Sequence, residues 1–240
     1  TAEALRTLRE EGPADRKAAI ERELPHETDD SRRAILEYEL GLLLRRIARD
    51  EDQAATAHGR ALAADATLVP NLWELRRLCE RRGSWDKVVK LLDVELRGTA
   101  DPAEQAELLV EKGHVLADRL GDAAGARVAW EAALQADPSS LPALMALERP
   151  ALRDGDAAAR EGLLRRMADA TAEPARRAEL LIELARLRAS AQGVADGEII
   201  ALFDEAWATG GAPEHVLDET ERFAAERGAS GEASREALLR

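Results

Sequence analysis

The chain repeats itself, without gaps, at a step of 72 along its numbering. Asp101 to Val115 reads DPAEQAELLVEKGHV; one step earlier Asp29 to Leu43 reads DDSRRAILEYELGLL, and one step later Glu173 to Leu187 reads EPARRAELLIELARL. The same step carries Val69-Pro70-Asn71-Leu72-Trp73-Glu74-Leu75 onto Leu141-Pro142-Ala143-Leu144-Met145-Ala146-Leu147, and Gly83 onto Gly155. A repeat of this length is one supersecondary unit, and such a unit buries its apolar face only by stacking on a neighbour. The period therefore predicts a solenoid.

Each unit divides again, because Asp65, Asp101 and Asp137 fall at half that step, as do Asp50, Asp86 and Asp122. Half-units of about 36 residues are the length of a helical hairpin. Apolar residues recur at three and four, as in Leu36, Leu40, Leu43, Leu44 and Ile47, and again in Leu72, Leu75, Leu78 and Cys79. That spacing gives one buried stripe per helix, and no segment alternates with the period of a strand. Asp101, Pro102 and Glu104 form a helix-start pattern. Gly83, Gly121, Gly155, Gly193 and Gly228 stand where helices should end.

The expected fold is thus all-α, with about 14 helices. They are expected near 2–10, 14–24, 31–48, 51–64, 69–82, 85–97, 102–120, 123–136, 140–152, 156–170, 174–192, 196–209, 213–227 and 231–239. Residues 1–240 are read as a single array with units near 29–100, 101–172 and 173–240 and a partial unit over 1–28. Trp130, Ala133 and Gly155 map onto Phe203, Ala206 and Gly228 with a step of 73, so the third unit carries one inserted residue near 193–197. Both ends read as cut within the array, which marks a piece of a longer protein whose exposed ends could self-associate.

Composition excludes several classes. Aromatic residues are 3% against 45% hydrophobic, so the core must be closely packed Ala, Leu and Val. A formal net charge of −13 opposes nucleic acid as a main partner. No apolar run is long enough to span a membrane. The single cysteine, Cys79, permits no internal disulfide and leaves the compartment open, with the cytoplasm as the default.

The hairpin at 107–140 resembles a tetratricopeptide repeat. Gly113 takes the small mid-helix position, Gly121-Asp122 the turn, Ala126, Trp130 and Ala133 the small–aromatic–small pattern, and Asp137-Pro138 the close. The hairpin at 35–66 repeats this with Gly41, Asp50, Ala54 and Ala61, but has His58 for the aromatic and Ala66 for the proline. In both, the first helix is about one residue longer than the family pattern. The hairpins at 69–101 and 141–173 keep only the turn glycine and the leucine spacing. The resemblance implies a right-handed superhelical solenoid of antiparallel hairpins, and a protein or peptide partner held in a concave groove lined by first helices.

By that resemblance Trp73, Arg77 and Arg81 project toward the groove, as do Met145, Arg149 and Arg153 one unit on. An aromatic or methionine beside arginines suits an acidic peptide or a C-terminal carboxylate. The plainer account, and the favoured one for the arginines, is pairing with Glu74, Glu80 or Glu148 on neighbouring turns. Trp73 divides evenly between the groove and inter-repeat core.

No catalytic, cofactor or metal constellation is legible. The four histidines, His26, His58, His114 and His215, share no helix face, and HExxH, CxxC, GxSxG and phosphate-loop patterns are missing. Glu37 and Glu39 read as a solvated face, and so do Arg45-Arg46, Arg165-Arg166 and Arg176-Arg177. Cys79 reads as core. The leading expectation is a non-catalytic interaction scaffold. The alternatives are the regulatory arm of a larger enzyme or signalling protein, and a pentatricopeptide-type RNA reader, which the charge opposes.

Overall fold

A computed structural model describes residues 12–191 and 193–226. Twelve α-helices and no strands occur among them. In chain order they are α1 (Pro13–Glu23), α2 (Asp30–Leu43), α3 (Glu51–Ala64), α4 (Val69–Arg81), α5 (Trp85–Gly98) and α6 (Pro102–His114). The remainder are α7 (Ala123–Ala136), α8 (Leu141–Asp154), α9 (Ala157–Ala170), α10 (Pro174–Ser190), α11 (Asp196–Ala208) and α12 (Pro213–Glu226). These twelve match the helices expected between positions 14 and 227. The expected helices at 2–10 and 231–239, and Gly228, lie outside the described residues.

Local sequence sets the boundaries. The carboxylates of Asp29, Asp50 and Asp156 accept from backbone N–H groups in the first turns of α2, α3 and α9. Such caps satisfy donors that a helix start leaves without partners. Asp65 and Asp137, one period apart, make the same turn: each accepts from the backbone N–H and the hydroxyl two positions on, Thr67 and Ser139. These bonds hold both carboxyls below the usual range, the side-chain bond more than the backbone one. Gly83, Gly121, Gly155 and Gly193 all have positive φ, the conformation that ends a helix with least strain in glycine.

The extra residue in the first helices is absorbed by π turns. Leu44–Ala48 follows α2 and Val115–Arg119 follows α6 as single π-helical turns. A π turn accommodates one more residue than the α ladder allows. It also breaks the helical period, so Ile47, expected on the buried stripe, is exposed.

The helices form two compact units. One comprises residues up to Asp101 together with Val115–Asp122; the other comprises Pro102–His114 and the chain from Ala123 onward. Within each unit, extensive contacts join a helix to its neighbour or next neighbour in the chain. This is the contact pattern of stacked hairpins. The first unit centres on Ile20, Leu36, Leu40, Leu44, Ala54 and Ala57. The second packs Leu144, Leu164, Leu181, Leu184, Ile199 and Phe203. Fully buried alanines (Ala54 and Ala61 in α3, Ala126 and Ala133 in α7) let the helices approach closely.

One joint is built twice. In the second unit Trp130 lies against Gly113 of its own hairpin, where an added Cβ would meet the indole Nε1 at 2.1 Å. Its N–H donates to the Val110 carbonyl at 3.3 Å, and His114 packs against the ring edge. In the first unit the same step places His58 against Gly41, with 2.6 Å to an added Cβ. His58 is fully buried. Its Nδ1 bonds the Asn71 carbonyl oxygen at 2.8 Å, and the Asn71 amide donates to the His58 backbone oxygen at 2.9 Å. The bond to Asn71 fixes the proton on Nδ1, so Nε2 carries a buried lone pair and has no partner among the described residues.

Candidate functional site

The sequence points to the outer faces of α4 and α8, and positions four apart on a helix share a face. On α4, Trp73 is 52% exposed, so it is surface rather than core, unlike Trp130 at 7%. Its indole N–H donates to Glu95 of α5 at 2.8 Å, and Arg76 holds the other Glu95 oxygen at 3.1 Å. Trp73 is therefore tethered by its N–H edge, with half its surface open to solvent. Arg77 is exposed and lies 3.5 Å from Glu74, the neighbouring-turn pairing expected. Glu74 is shared with Arg45 from the turn after α2, so Arg45 is an inter-helix tie rather than part of a solvated face. Arg81 instead reaches α3, where its Nε and Nη2 donate to Glu51 at 3.1 and 2.9 Å.

On α8, Met145 is 50% exposed at the equivalent position. The arginines here are less engaged than those of α4. Arg149 is exposed and has no ion pair among the described residues. Glu148, the partner expected nearby, is bound by Arg160 of α9 at 2.6 Å. Among the described residues Arg153 pairs only with its neighbour Asp154, at 2.9 Å, and both stay well exposed. Each helix thus brings its own three residues together on one outer face.

Several groups behave otherwise than expected. Glu37 is not on a solvated face: it is buried and held by Arg60 through two bonds of 2.6 and 2.9 Å. Glu39 pairs with Arg16 of α1. Arg165 and Arg177 both bind Glu205 of α11, and Arg166 donates to the Pro138 carbonyl, so these basic spots tie helices together. Arg165 foremost, with Arg177, holds the Glu205 carboxyl below its usual range. Arg186 does the same for Glu219. Cys79 is core as expected, and burial pushes its thiol up.

Among the described residues no group of three or more His, Cys, Asp or Glu is placed to hold a metal ion. Among those same residues no helix is long and apolar enough to cross a membrane. The sequence reasoning missed Glu95, which orients Trp73, and Glu51, which takes Arg81. Neither lies within one helical turn of its partner, so period and spacing carried no signal for them.

One solved structure agrees with this architecture at the level of the fold, and two others are similar over less of their geometry. The C-terminal part of a TPR repeat-containing protein from Cytophaga hutchinsonii aligns over 90% of this chain and 91% of its own, at 13% identity and a TM-score of 0.54. A tetratricopeptide repeat protein from Parabacteroides merdae aligns over 88% and 93% at 15% identity, with a TM-score of 0.43. PilF of Pseudomonas aeruginosa aligns over 85% and 82% at 15% identity, with a TM-score of 0.44. No family model matches the sequence, and no curated protein matches it. The fold is a tetratricopeptide-like helical repeat of antiparallel hairpins.

Proposed function

We propose that this protein is a non-catalytic scaffold that binds a protein or peptide partner, with the outer face of α4 and the outer face of α8 each serving as a contact surface. One observation carries the reading: Trp73 and Met145 stand one period apart, each about half exposed and each followed by arginines at the next two turns. Half-exposed aromatic and methionine side chains flanked by arginine make good interface anchors. In the family this chain resembles, such first helices line a concave groove, and the proposal puts the partner there. An acidic segment or a C-terminal carboxylate fits the guanidinium groups. Arg149, which has no ion pair among the described residues, is open to meet it. Arg77 and Arg81 would exchange their glutamates for it.

Site-specific photocrosslinking tests this. A benzoylphenylalanine at position 145 or 73 is expected to capture a discrete partner from lysate of the native source. The same group at position 128, where Val128 is exposed on α7, should capture none of it. Equal capture from all three positions would contradict the proposal.

A further inference from the structure

A cleft of about 320 Å³ opens in the first unit between α3, α4 and α5. That volume is at the lower end of the range for ligand sites. It is separate from the exposed Trp73 face. Ala55, Gly59 and Leu62 form one wall, Leu78 and Cys79 the floor, and Leu91 the far side. Among the described residues the charged side chains lining it are all cationic: Arg82, Lys87 and Lys90. The chain as a whole carries a net charge of −13. Arg82 is paired with the exposed Asp52 at 2.9 Å. Lys87 and Lys90, on adjacent turns of α5, have no carboxylate partner among the described residues. The positive charge reaches the floor. Burial pushes the Cys79 thiol up, while Lys87 and Arg82 pull it the other way.

The second unit replaces the small wall residues and the cations of this cleft. One period on, Ala55 and Gly59 become Arg127 and Glu131, while Arg82, Lys87 and Lys90 become Asp154, Ala159 and Gly162. Arg127 and Glu131 lie 3.8 Å apart on α7. Arg153 foremost, and also Arg127, holds the Asp154 carboxyl low, which places the Arg127 charge near that end of α8. Long side chains therefore stand where the first unit has Ala and Gly. Gly59 has no packing reason to be glycine. An added Cβ there would meet nothing within 4 Å, in contrast to Gly41 and Gly113. A glycine inside a helix lowers its stability relative to alanine. At position 59 it leaves the wall of the cleft smooth. At the opposite rim, the Ser84 side chain makes no cap bond to α5 and lines the opening.

We propose that this cleft is a docking site for a short acidic peptide segment, one that presents a large apolar side chain next to Asp or Glu. The apolar side chain covers Leu78 and Cys79, and the carboxylates meet Lys87, Lys90 and Arg82. The opposite charges favour such a segment over a neutral one and make its binding sensitive to salt.

The test is fluorescence anisotropy of a fluorescein-labelled synthetic peptide with a central Leu-Phe pair flanked by Asp and Glu. Gly59→Glu, which copies the second unit, is expected to weaken binding about tenfold or more. Its circular dichroism should remain that of the parent and its melting should not fall, since the Cβ has open space and a helix-interior glycine is removed. Lys87→Glu with Lys90→Glu should weaken binding similarly and remove its salt dependence. Trp73→Ala should leave it within about twofold, which separates this site from the α4 and α8 faces. Bound peptide should also slow alkylation of Cys79, the only thiol. Three results would overturn the proposal: unchanged affinity with Gly59→Glu, equal binding of a peptide with Ser-Ser for Leu-Phe, or protection of Cys79 by decanoate but not by the peptide.

Discussion

In α6–α7 a tryptophan lies on a glycine; one period earlier, in α2–α3, a histidine lies on a glycine. The backbone problem is the same in both, since Gly113 and Gly41 leave room for a ring that no Cβ would permit. The surroundings then diverge. In the tryptophan joint one backbone carbonyl, that of Val110, accepts the indole proton, and a fully buried Ala143 stands one helix on. In the histidine joint the equivalent positions are Tyr38, whose ring lies 5.8 Å away, and a fully buried Asn71. Replacing a large apolar ring by a smaller polar one required a buried hydrogen-bond partner, because an unsatisfied imidazole would be costly. The repeat keeps the shape, and the local chemistry adapts around it.

The largest effect expected from this comparison is steric. Gly113→Ala should destabilise the protein by about 3 kcal/mol, and Gly41→Ala by about 2 kcal/mol, since the latter meets the smaller ring less closely. Urea unfolding measures both. The third unit carries Ala185 and Phe203 at the corresponding positions, both buried. Trp130→Phe in the Gly113→Ala background should therefore recover more than half of the loss. A Gly113→Ala variant as stable as the parent would break the comparison.

Next in size is the polar network. Asn71→Ala should cost about 2 kcal/mol, because Nδ1 of His58 and a backbone carbonyl lose their partners in a buried place. The alanine that stands one period on, at 143, leaves no imidazole without its partner, because the ring there is Trp130.

The comparison sharpens with pH. Burial foremost lowers the His58 pKa from its ordinary 6.5, and the Arg45 charge adds to this; the Asn71 bond and Glu74 act in the opposite sense. The folded joint therefore stays neutral while the unfolded chain takes up a proton. Stability should be full above about pH 7 and fall on acidification through 6.5 toward the lowered folded value. Glu205 and Glu219 contribute in another window. Their folded values are lowered below the ordinary 4.5, so the stability they add is present above 4.5 and lost as pH falls through the depressed values. Denaturation midpoints between about pH 7 and pH 5 should fall for the parent and stay flat for a His58→Phe variant.

The smallest effect concerns the candidate site. Arg81→Ala breaks an exposed pair with Glu51 and should cost no more than about 0.5 kcal/mol, and Arg149→Ala should cost nothing measurable. A partner that uses this surface would feel both changes far more than folding does.

Helix positions were legible because leucine spacing, aspartate caps and turn glycines are local signals. The odd length of the first helices was legible too, from nine steps between Gly113 and Asp122, but not its resolution as a π turn, which depends on how the ladder relaxes. The His58–Asn71 network was hidden because its members stand on different helices, α3 and α4, and no helical period links them. The clue was that both depart from the pattern at positions where the next unit has Trp130 and Ala143. Arg77 found the neighbouring-turn Glu74 as expected, but the other arginine pairings were hidden for a related reason. A helical period says which face a side chain occupies, not which carboxylate of another helix reaches it, so Arg81 and Glu148 found partners that spacing could not name.

Transplanting one joint into the other tests the equivalence of the repeated units most directly. The triple variant Tyr38→Val, His58→Trp, Asn71→Ala gives the first unit the residues of the second at these positions. Unfolding followed across the same pH range should show a cooperative protein at least as stable as the parent at pH 7, with no loss on acidification through 6.5. A variant that fails to fold, or that keeps the parent's pH dependence, would contradict the account.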